Sequence, residues 1–564
     1  MKFKKDFSVL FRLNKLIDFK SKILYIIGTI GIAGVFSGNK ILTSFINKEI
    51  LDAAIEMSIS KMLTAVSLAI AVLICACILD PLSIYIFDYS IRRLVLGIQK
   101  LLFEKLQRLP LNYYQKNHSG DILSRINSSV ESIEMAYSMH LYRLVEATVW
   151  GVGSLVAMVV IDWRLTLLIL AYTAIVILFN GKFVEKVRVM EDKLQLNNAK
   201  NVENYEEVIR GIKVIKSFGI EDKLQAKFDD SNNEFAENKV KRGEYDARIS
   251  SMNYVFSKLN LFFLITIGGF MAFNKIISFG NILALVGLQS GVSNMFSNVG
   301  GIMNDIQGAC AGAGRVFEIL DEQEEDTEKG QLFVDKNNDT ALEIRNLNFS
   351  YDDNKTLSNI SFDVKKGEYI AIIGNSGSGK STLAKILLGL YNSEFGSISL
   401  FGNSNRDISI NEWRKKIAYV SQNPFLFDRS IRDNIMFGRE DADEKMIIEA
   451  AKKADAHDFI INLENGYDYN VGENGNKLSG GQKQRIALSR AIIKGAEIII
   501  IDEGTSALDK VSESIVQNCI SMLKGDRTII QIIHNLDMMK EADRVLVIEN
   551  GGLVKSGKPE EIII

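Results

Sequence analysis

The most chemically explicit stretch of this 564-residue chain is Gly374-Asn375-Ser376-Gly377-Ser378-Gly379-Lys380-Ser381-Thr382. It follows the apolar run EYIAIIG and has the spacing G-x-x-x-x-G-K-S, leaving a strand and opening a helix. Glycines let backbone N–H groups curl around phosphate oxygens, and the helix N-terminus adds its dipole. Lys380 can then reach the β- and γ-phosphates, and Ser381 can ligate magnesium. A second run, Ile498 to Ile501, ends in Asp502-Glu503. A continuous β-branched run reads as a buried parallel strand, so both carboxylates emerge at its C-terminal edge, where doubly wound sheets bind ligands. Asp502 suits a magnesium shell, and Glu503 suits a base that orients water against the γ-phosphate.

These residues need an α/β scaffold, and from about residue 341 short β-branched runs alternate with helical segments as such a domain requires. Residues 1–320 read differently. A hydrophobic fraction of 47%, 24% charged residues and a mean hydropathy of +0.08 average a very apolar first part with an ordinary globular second part. Stretches without charge run over 23–39, 62–79, 147–161, 165–181, 259–274 and 276–304. Extended past their flanking charges, they predict spans near 20–46, 60–88, 139–161, 164–185, 252–274 and 276–304. Lys and Arg number 28 in 1–22, 92–137 and 182–257, against 5 in 40–61, 162–164 and 275. The positive-inside rule then puts both termini, the two long loops and the 341–564 domain in the cytoplasm. The expected fold is multidomain: an all-α six-helix transmembrane domain (1–320), an acidic linker (321–340, opening DEQEEDTE) that reads as solvated, and an α/β P-loop domain (341–564).

Composition narrows the function further. With 66 basic and 69 acidic residues the net charge is -3, which argues against nucleic acid as partner. Cys75, Cys77, Cys310 and Cys519 have no metal-ligand spacing and imply no disulfide framework. In the sixth expected span, Ser290, Asn294, Ser297, Asn298, Gly301 and Asn304 advance in steps of three and four and share one helix face. A polar stripe is costly against lipid, so it should face a neighbouring helix or a wet cavity.

Between the cradle and the acidic pair lies Leu478-Ser479-Gly480-Gly481-Gln482, followed by the amphipathic run KQRIALSRA. Here the sequence resembles the ATP-binding cassette family, and the resemblance covers nearly the whole chain: six spans and one nucleotide-binding domain look like a half-size exporter. The resemblance implies ATP and Mg2+ as cofactors, with Ser381, Gln422 and Asp502 at the metal and Glu503 and His534 as catalytic groups. It also implies that Tyr351 stacks on adenine and that Ser506 to Asp509 cross between two cassettes. Asn470 to Gly475 would meet the partner's internal loops. Ser479, Gly480, Gly481 and Gln482 of one subunit would cap the ATP held by the other, so a second half-transporter is required, in a homodimer or a heterodimer. Closure would pass through short internal-loop helices near Leu111 to His118 and Gly211 to Phe218, switching the pathway by alternating access. Asn470, Gly504 and Asn535 depart from the family's usual Glu, Ala or Pro, and Arg.

The expectation is therefore an ATP-hydrolysing exporter subunit, multi-pass in the lipid bilayer of the plasma membrane, moving a drug, lipid or peptide. An ATP-gated channel or regulatory subunit, or an importer built on the same fold, would share these motifs. A soluble cassette protein acting on DNA or ribosomes is excluded by the spans.

Overall fold

The structure is a computed structural model. It describes residues 9, 11–13, 15, 18–325, 330, 339–351, 354–391, 395–502, 510–533 and 536–562, except the side chains at 184, 185, 188, 297–300, 304, 510–512, 536 and 537. The chain divides into two units, one of residues 1–104 and 120–321, the other of 105–119 and 322–564.

Long helices build the first unit: α1 (Phe19–Ile55), most of α2 (Ile59–Arg108), α4 (Ser119–Met135), α5 (Tyr142–Ile161), α6 (Trp163–Phe218), α7 (Glu221–Phe273) and α8 (Phe279–Leu320). The short α3 (Leu111–Lys116) belongs to the second unit. A π-helical turn, Ala136–Leu141, joins α4 and α5 into one rod. Helix starts follow local chemistry. The Asp162 carboxylate accepts the N–H groups of Arg164 and Leu165 at 2.9 Å, satisfying donors that the first turn of α6 would otherwise leave open. Asp52, near the end of α1, accepts the Ser278 hydroxyl at 2.7 Å and the Gly280 N–H at 2.9 Å, tying α1 to the N-terminus of α8.

Among the described residues, five helical segments are long and apolar enough to cross a membrane: Phe19–Ile55, Ile59–Arg108, Ser119–Ile161, Trp163–Phe183 and Glu221–Phe273. The sixth expected span lies within α8, part of whose side chains fall outside the described residues. Charged segments continue the helices well past the apolar windows. At ~1.5 Å per residue α2 runs about 75 Å, more than twice a hydrocarbon core of about 30 Å. α1 packs on α5 and α8, while α6 packs on α7. A Cβ on Gly291 would sit 2.4 Å from the Ser154 hydroxyl oxygen, so α8 and α5 approach this closely only because glycine is there.

In the second unit the chemistry sits on a six-stranded sheet ordered β10-β9-β3-β8-β7-β6, with β3 (Tyr369–Ile373), β6 (Ile417–Val420), β7 (Ile498–Asp502), β8 (Thr528–Ile532), β9 (Arg544–Glu549) and β10 (Gly552–Gly557). All neighbours are parallel except β9 and β10. A four-stranded antiparallel sheet, β2-β1-β4-β5, spans β1 (Thr340–Tyr351), β2 (Asn354–Lys365), β4 (Phe395–Leu400) and β5 (Asn403–Ser404).

Both faces of β3 and β7 are covered, which explains their unbroken apolar runs. Ile370, Ile372, Ile498 and Ile500 point into one core with Leu383 and Leu387 of α9 (Lys380–Leu387). Tyr369, Ala371, Ile499 and Ile501 point into the other, with Ile486 and Leu488 of α11 (Gly480–Ile493), Ala450 of α10 (Glu444–Lys453), and Val516 and Ile520 of α12 (Lys510–Met522). The one hydroxyl on this stretch, Tyr369, bonds Gln531, receives a bond from Gln517 at 3.0 Å, and is pushed up to about 12 chiefly by burial. Gln531 in turn donates to Gln517 at 3.2 Å, so the buried polar triad is mutually satisfied.

Two features differ from a simple linker and loop. The acidic run is not merely solvated at its start: Glu325 receives a two-pronged bond from Arg414 at 2.7 and 2.8 Å, and Glu324 pairs with Lys105 at 3.1 Å. Arg414 is half-buried, and its planar fork matches the carboxylate in a two-pronged bond. The second is α3, where Leu111 packs against the β3/β7 core and Gln115 accepts the Tyr391 hydroxyl. A short internal-loop helix therefore stands near Leu111 to His118. No separate one forms at Gly211 to Phe218, where α6 runs unbroken until left-handed Gly219 stops it.

Candidate nucleotide site

β3 ends at Ile373, and the chain turns through Gly374 and Asn375 into α9, whose cap is Gly379 at φ 98°. Gly374 has φ 152°, and a Cβ there would lie 2.0 Å from the carbonyl oxygen of Ile548 on β9. Only glycine fits that position. Lys380, 5% exposed, arches back over the loop and donates to the carbonyls of Gly374 and Asn375 at 2.8 Å. Ser378 is equally buried, and its hydroxyl has no hydrogen-bond partner among the described residues. A buried ammonium and an orphaned hydroxyl at a helix N-terminus form a pocket chemically suited to phosphate oxygens.

Two strands away, β7 delivers Asp502 to the same sheet edge, 6% exposed. Ser381 donates to its Oδ1 at 3.1 Å, so the loop after β3 and the tip of β7 meet across β8. A serine hydroxyl beside a buried carboxylate is a donor set of hard oxygens, which fits magnesium. Sequence reasoning missed one participant: the Tyr419 hydroxyl of β6 donates to Asp502 Oδ2 at 3.2 Å. Burial first, and the facing carboxylate second, raise this phenol above its ordinary value. Its sequence signal, an aromatic three residues before Gln422 on the strand beside β7, is weak because strand tyrosines are ordinary core residues.

The remaining expected residues fall into separate groups. Tyr351 stands at the end of β1, edge-on to Phe349 at 4.9 Å and to Tyr391 at 5.3 Å between ring centres. Gln422 is exposed just after β6. Ser479 caps α11, accepting the Gln482 N–H at 3.3 Å while its own N–H donates to the Gln482 side chain at 2.9 Å. Ser479 and Gly480 are exposed and Gly481 is buried, so the helix start faces outward while its body is fixed.

α11 is tied to the segment after Gln422. Arg490 donates to the Phe425 carbonyl at 3.0 Å and to Asn434 at 2.8 and 2.9 Å, with burial lowering its pKa, and Lys494 donates to the Ile417 carbonyl at 2.8 Å. Asn470 accepts the Gly472 N–H at 2.7 Å through its amide oxygen, an acceptor that a glutamate would also supply. Glu503, His534, Gly504, Asn535 and Ser506 to Asp509 lie outside the described residues.

Comparison with known proteins adds the following. Residues 25–296 match the family described as the ABC transporter transmembrane region, and residues 357–506 match the ABC transporter family. The chain is 32% identical over 476 residues to an ATP-dependent lipid A-core flippase of Syntrophus aciditrophicus (strain SB), covering 84% of this chain and 78% of that protein. It is 31% identical over 487 residues to the putative multidrug export ATP-binding/permease protein YgaD of Bacillus subtilis (strain 168), covering 85% and 83%. A bacterial Atm1-family ABC exporter solved with ATP bound superposes with a TM-score of 0.79 over 97% of each chain at 23% identity, a likeness of fold.

Proposed function

Because the chain belongs to the ATP-binding cassette transporter family, with membrane and ATPase domains in one polypeptide, we propose that two such half-transporters use ATP to drive an amphiphilic substrate out of the cytoplasm across the plasma membrane. That the protein is a multi-pass exporter coupling ATP hydrolysis to transport follows from the family. The observation that carries the detailed reading is the pair of buried residues Lys380 and Asp502 at one sheet edge, with the half-buried Ser381 bonded to Asp502.

In this reading the loop N–H groups and Lys380 hold the β- and γ-phosphates. Ser381, Asp502 and Gln422 hold Mg2+, which when bound supplies charge neutralisation at the phosphates. Glu503 orients the attacking water, His534 contacts the γ-phosphate and Tyr351 carries the adenine. Ser479 to Gln482 of the second subunit complete the site, which is why that helix start is exposed here.

Two relatives carry names that point to lipid A-core and to multidrug export, and this motivates an amphiphile as cargo. The α8 stripe supports it. Ser290 and Gly301 are exposed and Asn294 is half-buried, whereas Leu285, Leu288, Val292, Ile302 and Ile306 form the packed face. Ser297, Asn298 and Asn304 have side chains outside the described residues. A polar face turned from its own chain's core belongs against the partner or in a wet route. Single cysteines at Ser290 and Asn294, with Cys75, Cys77, Cys310 and Cys519 removed, are expected to react with a water-soluble thiol reagent at a rate that ATP changes. Protection in every nucleotide state would make the stripe an interface instead.

Reconstituted protein tests the function directly. ATP should move a fluorescent lipid or lipophilic cation in one direction across vesicles, with ATPase activity stimulated by that cargo. Ion conductance without directed flux would favour a channel, and accumulation on the side bearing the ATPase domain would favour an importer.

A further inference from the structure

Asp502 is a carboxylate buried to 6% exposure, and a buried charge of this kind needs a donor on each oxygen. Oδ1 has Ser381, and Oδ2 has Tyr419, at 3.1 and 3.2 Å. The two donors differ in what else they can do. Ser381 lies in the first turn of α9 at the phosphate loop, and its hydroxyl is the one that would turn to a bound cation. Tyr419 lies on β6, paired in register with Ile500 of β7, and reaches along that strand to its last residue. Its ring packs on the core that holds Ile417 and Ile500 and forms part of the wall of a cavity of about 310 Å³ beside Leu390 and Phe437. The ring is therefore placed by packing, and packing alone would be served by phenylalanine. The hydroxyl adds a bond to Oδ2 that does not involve Ser381 and that opposes rotation of the carboxylate about its Cβ–Cγ bond.

We propose that Tyr419 is the positioning residue for Asp502, holding Oδ2 so that Oδ1 stays turned toward Ser381 and the metal of the bound nucleotide. This rests on reading Asp502 as a magnesium ligand. β6 ends two residues before Gln422, so this hydroxyl and the exposed glutamine lie on one strand and the loop that follows it.

The test uses the full chain in lipid nanodiscs, with Mn2+ as the probe and a non-hydrolysable ATP analogue. Free Mn2+ is followed by electron paramagnetic resonance. Tyr419→Phe should weaken Mn2+ binding by about 10-fold, the lower end of what losing an outer-shell partner costs. Analogue binding in EDTA should stay within about twofold of wild type, because the phosphate loop is untouched. Tyr419→Leu, which loses ring and hydroxyl, should shift Mn2+ to the same degree and lower the melting temperature more than Tyr419→Phe does. If only the leucine variant shifts Mn2+, the ring's packing is responsible and the inference is overturned. If Tyr419→Phe matches wild type while Asp502→Asn loses Mn2+, Tyr419 has no positioning role and the magnesium assignment stands. If Asp502→Asn also binds Mn2+ normally, the assignment of Asp502 falls and takes this inference with it.

Discussion

Glu503→Gln is expected to lower ATP turnover by ~10² to 10⁴, the range assigned to a positioned general base, while ATP still binds. β7 ends with Asp502 fixed by two hydrogen bonds, and Glu503 is the next residue in the chain. The strand therefore ends, one residue before Glu503, at the edge where Lys380 and Ser381 lie. Glutamine keeps the length and branching of the side chain, and it removes the negative charge that the proposed role requires for orienting water. In the same proposal the phosphates are held by the loop and Lys380, so affinity for ATP should be retained. Phosphate release by the purified protein measures turnover, and equilibrium binding of a labelled nucleotide measures affinity. A variant with near-normal turnover would show that another group orients the water. A variant that loses binding as well would mean that Glu503 shapes the loop. Lys380→Ala provides the contrast, because removing the buried ammonium should weaken binding itself.

How much of this was legible in the sequence depends on the range of each signal. The phosphate loop could be read because its spacing is local: Gly374, Gly377 and Gly379, all at positive φ, and a lysine five residues on from Asn375. Ile498 to Ile501 could be read because a strand covered on both faces has no polar position to interrupt it. Contacts across long sequence separations were not legible where no motif marks them, as motifs mark Ser381 and Asp502. Tyr419 meets Asp502 across 83 positions, Arg414 meets Glu325 across 89, and Gln115 meets Tyr391 across 276. Each such residue has an ordinary local role, as strand aromatic, surface cation or loop amide, and that role is all a sequence displays. At the acidic run, composition reads solvated residues and 321–324 are exposed, while the half-buried Glu325 held by Arg414 is a contact that composition does not display.

Mixing two inactive chains should restore activity, and this is the strongest expected signature of a site shared between subunits. Lys380 is buried in its own loop, whereas Ser479 caps a helix whose start is exposed and whose body is anchored by Arg490 and Lys494. If the ATP held by one Lys380 is capped by the other chain's Ser479, neither Lys380→Ala nor Ser479→Ala alone can form an intact site in a homodimer. In a mixed dimer, the site using Lys380 of the serine variant and Ser479 of the lysine variant is whole, and the other site carries both lesions. Random pairing of equal amounts makes about half the dimers mixed, so about a quarter of the wild-type sites should return. Co-expression with two affinity tags isolates the mixed dimer, in which one site of two is intact. Recovery of ATPase activity there, with none in either parent, would place Ser479 at the partner's nucleotide. Without recovery, either the site is completed within one chain or both sites must be whole for turnover. A tandem fusion carrying both lesions in one half separates these, because it leaves one intact half under the first arrangement and no intact composite site under the second.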